Sequence, residues 1–332
     1  MFNLVRTIVN AMKIKNYLPH IALLQTFAFL CVVLGHALSL YCAGGWYNHW
    51  HFVPSLDSLN SFIYAFHMPL FFFISGFLLF ITTKGDFSWT AYNKKRLKRL
   101  VIPYYLAGIF YFLPTIALTQ PFKQPWSLTA KLYLTLQDGG YLWFLISLFL
   151  TSLVFTTLIK TPLKNKPLYL FIIVLACNLL STNFGLPDML TKKVLTNLLY
   201  FYAGYYIASR PNIEKFISRP LYIAVIFTIS FTCFMANFKS AVALGLIIAF
   251  YGLSTWVCAK LPVLGTNKIV KFIASNMILL YIFHEPIMIA MLKSWNYAST
   301  MNPYFASAML FVLDLLLTLN VTYLWQLITK KK

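Results

Sequence analysis

The sequence predicts an all-α, polytopic membrane protein with about ten transmembrane helices and both termini in the cytoplasm. Of its 332 residues, 60% are hydrophobic and only 10% are charged, and the mean hydropathy is +0.73. A soluble domain carries about a quarter charged residues, so this composition cannot cover a surface in water. The net charge of +20 does not indicate nucleic-acid binding, because the basic residues occupy short breaks between apolar runs, where membrane topology requires them.

Ten apolar runs are long enough to cross the hydrocarbon core, which takes about 20 helical residues. The predicted spans are residues 21–42, 60–81, 100–119, 141–159, 168–186, 194–209, 221–238, 240–259, 272–292 and 304–328. The break near residue 238 is the narrowest, because one lysine separates two long runs. Residues 1–20 are predicted to be a basic cytoplasmic lead-in, residues 21–328 a single membrane domain, and residues 329–332 a basic cytoplasmic tail.

The basic residues predict the orientation of these spans. Alternate breaks, together with the two termini, hold 21 of the 27 Lys and Arg residues, and the opposite breaks hold the other six. Basic residues are retained on the cytoplasmic side of a membrane, so both termini are expected there. An even number of spans agrees with that orientation.

Five ionisable side chains inside the predicted spans are candidates for function: His36, His67, His284, Glu285 and Asp314. Placing an ionisable group inside a bilayer costs free energy, so each of these side chains is a candidate for a functional role. At about 1.5 Å of rise per residue, the three histidines lie roughly 9–12 Å below the outer face, on three different helices. Histidine titrates near neutral pH and suits proton transfer. The alternative is that each histidine only joins helices by hydrogen bonds.

Two further features concern the surroundings of these histidines. Glu285 adjoins His284, and because consecutive helical residues do not share a face, it is free to serve another neighbour. Pro286 follows and is expected to free a backbone carbonyl. Gln25 and His36 are 11 positions apart on the first span and therefore face nearly the same way, about 16 Å apart along the axis. They predict a polar stripe on a tunnel wall, unless the glutamine simply joins two helices.

The remaining candidates lie near the two membrane surfaces. Arg96 and Arg99 share a helical face at the cytoplasmic side and suit a phosphate-rich ligand, although such basic clusters also set topology and contact anionic lipids. Trp46 and Trp143 lie near the outer interface, where tryptophan commonly anchors the protein in the bilayer but also suits a sugar face. The five cysteines have no paired spacing, and no metal site is predicted.

The first span contains ALLQTFA at residues 22–28 and VVLGH at residues 32–36. These two runs resemble the opening span of acyltransferase family 3. The most specific run is FHMPLFFFISGF at residues 66–77, which is closest to the branch related to fucose 4-O-acetylases. RLKR at residues 96–99, IPY at 102–104, LWFL at 142–145 and YIFH at 281–284 also match. The resemblance covers most of the chain and agrees with ten helices.

The resemblance implies an enzyme of the bacterial cell membrane that O-acylates, most often O-acetylates, a sugar hydroxyl of an envelope polysaccharide or its lipid-linked precursor. Acetyl-CoA or another acyl-CoA would be the donor substrate, with no permanently bound cofactor. His36, His67, His284 and Glu285 would then be catalytic. Gln25, Arg96 and Arg99 would bind the donor, and Trp46 and Trp143 the acceptor. Expected partners are acyl-CoA, the glycan and membrane lipids, and the sequence leaves homo-oligomerisation open.

One position departs from the family pattern. An arginine commonly stands eleven positions before the histidine of the first span, and here that position is Gln25. Glutamine keeps hydrogen bonding but loses the charge, so the donor site is expected to be altered. Two alternatives stay open: a proton-coupled transporter or flippase of lipid-linked sugars, and a non-catalytic member of the family.

Overall fold

A computed structural model describes residues 17–43, 51–83, 87–115, 127, 140–183, 190–236, 239–294 and 300–330 of the chain. Every regular element in these residues is helical, as the composition predicts. The helices in chain order are α1 (Pro19–Leu38), α2 (Pro54–Thr82), α3 (Trp89–Arg96), α4 (Ile102–Ala107), α5 (Trp143–Lys160), α6 (Pro167–Asn183), α7 (Leu190–Ala208), α8 (Pro211–Ile217), α9 (Pro220–Met235), α10 (Lys239–Lys260), α11 (Pro262–Thr266), α12 (Lys268–Ser275), α13 (Met277–Ser294) and α14 (Pro303–Lys330). Wider π-helical turns at Leu97–Val101 and Gly108–Phe112 flank α4.

The local sequence explains where many helices begin. Seven helices start with proline, whose fixed φ suits the first helical position and whose missing N–H is not needed there. Ser88 and Asn267 cap α3 and α12, where their side-chain oxygens accept hydrogen bonds from backbone N–H groups at 3.3 and 2.8 Å. The narrow break near residue 238 is confirmed, because α9 ends at Met235 and α10 begins at Lys239.

Six segments are long and apolar enough to cross a membrane: Pro19–Tyr41, Pro54–Thr82, Gly140–Lys160, Val242–Lys260, Met277–Ser294 and Pro303–Thr329. They coincide with six of the ten predicted spans. A seventh is reached if α8 and α9, which bend by 76° at their junction, are one broken span. The protein is therefore a multi-pass membrane protein, while ten spans and the cytoplasmic termini stay predictions.

The other four predicted spans are helical where the structure describes them, but none of them is by itself long and apolar enough to cross a membrane. Helix α6 has 17 residues, and α7 carries Lys192 and Lys193 in its first turn. The helical stretch from residue 97 is described only to residue 115, so the full span predicted at 100–119 extends beyond the described residues. Apolar composition alone overestimates the length of these membrane-crossing helices, because it ignores where a helix begins and ends.

The helices form two compact units. The first consists of residues up to His67, residues 105–141 and residues from Pro262 onward, and in it α1 packs against α12, α13 and α14. The second consists of Met68–Tyr104 and Leu142–Leu261, and in it α7 packs on α5 and α6, and α9 packs on α10. A Cβ atom added to Gly76 on α2 would lie 1.9 Å from the Phe201 carbonyl oxygen on α7. The backbones of these two helices therefore touch, which only glycine permits.

Candidate active site

His36 lies near the C-terminal end of α1, in the first unit. The helix runs unbroken from Pro19 to Leu38, so Gln25 and His36 lie on one continuous helix. Only on a continuous helix does their 11-residue spacing turn both side chains nearly the same way. The side chain of His36 is 18% exposed, whereas most of α1 around it is buried. Gly35 beside it gives room for the Tyr64 ring of α2, because a Cβ atom there would lie 2.9 Å from that ring.

Helix α13 contributes His284 and Glu285, both buried, followed by Pro286 inside the helix. Proline has no N–H, so the carbonyl four residues earlier, that of Ile282, loses its helical partner. The Tyr141 hydroxyl donates to this oxygen at 2.6 Å, and the Tyr281 hydroxyl donates to the Tyr141 carbonyl. The carbonyl that the sequence predicted to be freed therefore binds Tyr141 and holds α13 at this point.

Three side chains from α1 and α13 converge into one cluster. The Nε2 atom of His36 lies 3.2 Å from Oε2 of Glu285, an ion pair when the histidine is protonated. The rings of His36 and His284 have centroids 5.3 Å apart. We call His36, His284 and Glu285 the α1–α13 cluster. The sequence left open that Glu285 serves a different neighbour from His284. In the structure both side chains approach His36. They point about 100° apart around α13, and His36 lies between these two directions.

The α1–α13 cluster also has the donor set of a metal site. One ligand atom from each of its three residues lies within 4.8 Å of the other two. Two imidazoles and a carboxylate are ligands that zinc accepts. The sequence predicted no metal, and that stays a prediction.

Hydrogen bonds define which nitrogen of two histidines carries the proton. Nδ1 of His284 lies 2.8 Å from the Tyr281 carbonyl oxygen, and Nδ1 of His67 lies 2.8 Å from the Ile63 carbonyl oxygen. A carbonyl only accepts, so each Nδ1 is the N–H and each neutral ring presents Nε2 as an acceptor. Nε2 of His284 is buried and has no hydrogen-bond partner among the described residues.

His67 lies beside the cluster. It is 3% exposed, stacks edge-on against Tyr64 with centroids 4.7 Å apart, and interacts electrostatically with His36. The shared depth of the three histidines stays a prediction, but within the first unit His36 lies close to His284 and interacts with His67. Rings of Phe29 and Tyr141 enclose His284 at centroid distances of 6.2 and 5.8 Å.

Arg96 and Arg99 lie in the second unit, at the junction of α3 and the first π-helical turn. Arg96 donates from Nε to the Ser152 hydroxyl at 3.2 Å, and its guanidinium lies 5.7 Å from the centroid of the Tyr92 ring. Burial lowers the pKa of Arg99 to about 10, and the charge of Arg96 adds to this effect. Arg99 therefore stays charged at pH 7. No carboxylate pairs with Arg96 or Arg99 in the part of the chain that the structure describes.

The structure describes only one of the two tryptophans that were predicted to bind the acceptor. Trp46 lies outside the described residues. Trp143 begins α5 in the second unit, with the Lys193 ammonium 4.9 Å from the centroid of its ring and Phe144 edge-on at 6.3 Å. The Trp143 face therefore already binds a cation.

Sequence reasoning missed several residues around the cluster. Tyr64 precedes His67 by three positions, which places both on one face of α2 and was a usable signal. Tyr141 gave no signal, because it is 141 residues from its partner Ile282. Asp314 was recognised as ionisable but received no role. It is fully buried on α14, accepts from Thr318 at 3.2 Å and interacts electrostatically with Glu285.

Comparison with known proteins identifies the family. The family described as an acyltransferase domain, acyltransferase family 3, matches residues 19–324. No curated protein matches the chain, and no solved structure matches it. The branch related to fucose 4-O-acetylases stays a prediction. Because the match covers both units and nearly the whole chain, this multi-pass membrane protein belongs to acyltransferase family 3.

Proposed function

We propose that the protein O-acylates a sugar hydroxyl of an envelope polysaccharide or its lipid-linked precursor, with cytoplasmic acyl-CoA, most simply acetyl-CoA, as donor. The observation that carries this proposal is the His36–Glu285 pair at 3.2 Å, next to a buried second histidine. A base oriented by a carboxylate is the arrangement that activates a hydroxyl for acyl transfer. The proposed location is the bacterial plasma membrane.

His36 is the general base in this proposal. When Glu285 accepts from Nε2–H, the lone pair of the neutral ring is on Nδ1, which takes the proton of the acceptor hydroxyl. The buried carboxylate then stabilises the imidazolium that forms. Overall, the hydroxyl oxygen forms the ester bond, the thioester C–S bond breaks, and the hydroxyl proton ends on the thiol of coenzyme A.

The tautomer of His284 narrows its role. Its Nδ1–H is already donated to Tyr281, so a neutral His284 has no second N–H with which to stabilise an oxyanion. Its Nε2 instead accepts a hydrogen bond from a second, neighbouring hydroxyl of the acceptor sugar, which orients the reacting hydroxyl toward His36. The same reasoning holds for His67, whose Nδ1–H is donated to Ile63. We therefore assign both histidines to positioning.

The donor is assigned to Arg96 and Arg99, whose charges have no carboxylate partner among the described residues and therefore suit the phosphates of coenzyme A. Gln25 is assigned to the path of the donor, on the same helix as His36. Its uncharged amide supports only a hydrogen bond where the family commonly has an arginine. Trp46 and Trp143 are assigned to the acceptor, with Lys193 beside the latter.

Mass spectrometry of envelope glycans tests the proposal. Cells would express the wild type, His36→Ala, Gln25→Arg or the control His20→Ala, which removes a histidine about 24 Å away on the same helix. One acyl increment is expected with the wild type and the control and not with His36→Ala. An increment with Gln25→Arg alone would identify a disabled family member. Unchanged acylation in all four strains, with loss of glycan export in His36→Ala, would indicate a transporter.

A further inference from the structure

A groove runs between α9 and α10 in the second unit. The two helices form an antiparallel hairpin, because α9 ends at Met235 and α10 begins at Lys239, and they pack against each other. The groove encloses about 260 Å³, and apolar side chains line it, among them Ile223, Ala224, Phe227, Ala249, Phe250 and Leu253. Phe227 is 37% exposed and Leu253 is 38% exposed, so the groove opens on the surface of the hairpin.

Two alanines make room for the groove. Ala224 on α9 and Ala249 on α10 carry only a methyl group, whereas Phe227 and Phe250 beside them are bulky. Residues Val242–Lys260 of α10 are long and apolar enough to cross a membrane, so this surface faces the hydrocarbon of the bilayer. Lipid tails are as apolar as these side chains, and a tail that enters the groove is therefore held by close packing.

One end of the groove lies where a membrane meets water. Pro220 and Trp256 line the end that is farthest from the turn of the hairpin. Tryptophan near the end of a membrane helix is typical of the interface. Arg219 comes directly before Pro220, and Lys260 ends α10 four residues after Trp256, about 6 Å farther along the axis. Two basic residues thus follow the apolar groove at the level of the lipid headgroups.

The surroundings of these two basic residues suit an anionic ligand. Arg219 and Lys260 are exposed, and no carboxylate pairs with either one among the residues that the structure describes. Helix α8 bends away from α9 by 76° and exposes Lys215 and Phe216, as a helix does that lies in the interface. Basic residues on the predicted cytoplasmic side also set topology, but topology requires no groove beside them.

We infer that the α9–α10 groove binds one anionic phospholipid of the predicted cytoplasmic leaflet. One acyl chain lies in the groove, and Arg219 and Lys260 bind the phosphate of the headgroup. The ligand is a lipid, because the apolar groove leads directly away from the two cations and a free phosphate has nothing to place in it. The site is independent of the proposed acyl transfer, since none of its residues is assigned to the α1–α13 cluster, the donor or the acceptor.

Native mass spectrometry of the full-length protein in detergent tests the headgroup contact with two probes, phosphatidylglycerol and phosphatidylcholine with the same acyl chains. The wild type is expected to bind one phosphatidylglycerol about fivefold to thirtyfold more tightly, the effect of one or two basic residues beside an anionic lipid. Arg219→Gln/Lys260→Gln should lose this preference. Lys164→Gln/Lys166→Gln, which removes two exposed charges elsewhere in the second unit, should keep it.

Filling the groove tests the contact with the acyl chain. Ala224→Phe is expected to weaken the binding of both lipids about tenfold, the effect of leaving about two methylene groups unburied, and to keep the preference for the anionic one. Val225→Phe places the same ring at the next position of α9, which is exposed and does not line the groove. This control should bind both lipids as the wild type does, which separates a filled groove from a damaged fold.

Three outcomes would overturn the site. Equal affinity of the wild type for the two lipids would mean that the headgroup is not recognised. Loss of the preference in Lys164→Gln/Lys166→Gln as well would make it an effect of net charge. Unchanged binding in Ala224→Phe would mean that only the general lipid shell of the membrane covers the hairpin.

Discussion

Replacing Glu285 by glutamine tests the centre of the proposed mechanism. The glutamine side chain keeps the size of the glutamate and an oxygen that can accept from His36 Nε2–H, but it loses the charge that stabilises the imidazolium. At 3.2 Å and an effective dielectric constant of about 20, opposite unit charges attract by roughly 5 kcal/mol. A neutral amide retains part of this attraction, and each 1.36 kcal/mol is a tenfold change in rate, so we expect kcat to fall about a thousandfold.

The assay is transfer from radiolabelled acyl-CoA in membranes that contain equal amounts of each variant, with kcat and KM measured separately. The interaction forms in the transition state, so kcat should fall while KM for acyl-CoA changes little. Asp57→Asn is the matched control, because Asp57 binds the backbone N–H of Ala43 and lies outside the cluster. A Glu285→Gln enzyme within threefold of the wild-type kcat would refute the assignment of Glu285.

Three further outcomes follow from the packing and the cluster. Gly76→Ala is expected to lower the melting temperature by several degrees, because its Cβ would meet the Phe201 carbonyl at 1.9 Å. The control is Ser75→Ala at the neighbouring position, which should leave the melting temperature unchanged. Equal melting temperatures for the two variants would contradict the close packing. Tyr141→Phe should cost about 1–3 kcal/mol, because it leaves the buried Ile282 carbonyl unpaired, which chemical denaturation would measure, and an unchanged stability would show that another donor replaces the hydroxyl. Chelators are expected to leave transfer unchanged, because base catalysis needs no ion, whereas a loss that Zn²⁺ restores would make the cluster a metal centre.

The membrane character of the chain follows from its sequence, because hydropathy is a local and nearly additive property. Six of the predicted spans coincide with helices long and apolar enough to cross the bilayer. The limits of this reasoning appear at α6, α8 and α9. Helix α6 has only 17 residues, and a 76° bend separates α8 from α9. Hydropathy does not encode such ends and bends, which depend on the placement of proline and on neighbouring helices.

The candidate site was predictable in part. The depth of each histidine follows from its distance along a helix, so the common level of His36, His67 and His284 could be anticipated. The rotation of each helix about its axis could not, and that rotation makes Glu285 a partner of His36.

The sequence by itself determined that this protein is helical, spans a membrane several times and carries the motifs of acyltransferase family 3. Those features follow from the composition, from the length of the apolar runs and from the spacing of residues that are close together in the chain. Only the tertiary structure decided that α1 and α13 bring a carboxylate to the first histidine, and that the Tyr141 hydroxyl donates to the carbonyl freed by Pro286. These contacts join residues far apart in the chain, so they depend on how side chains pack between helices.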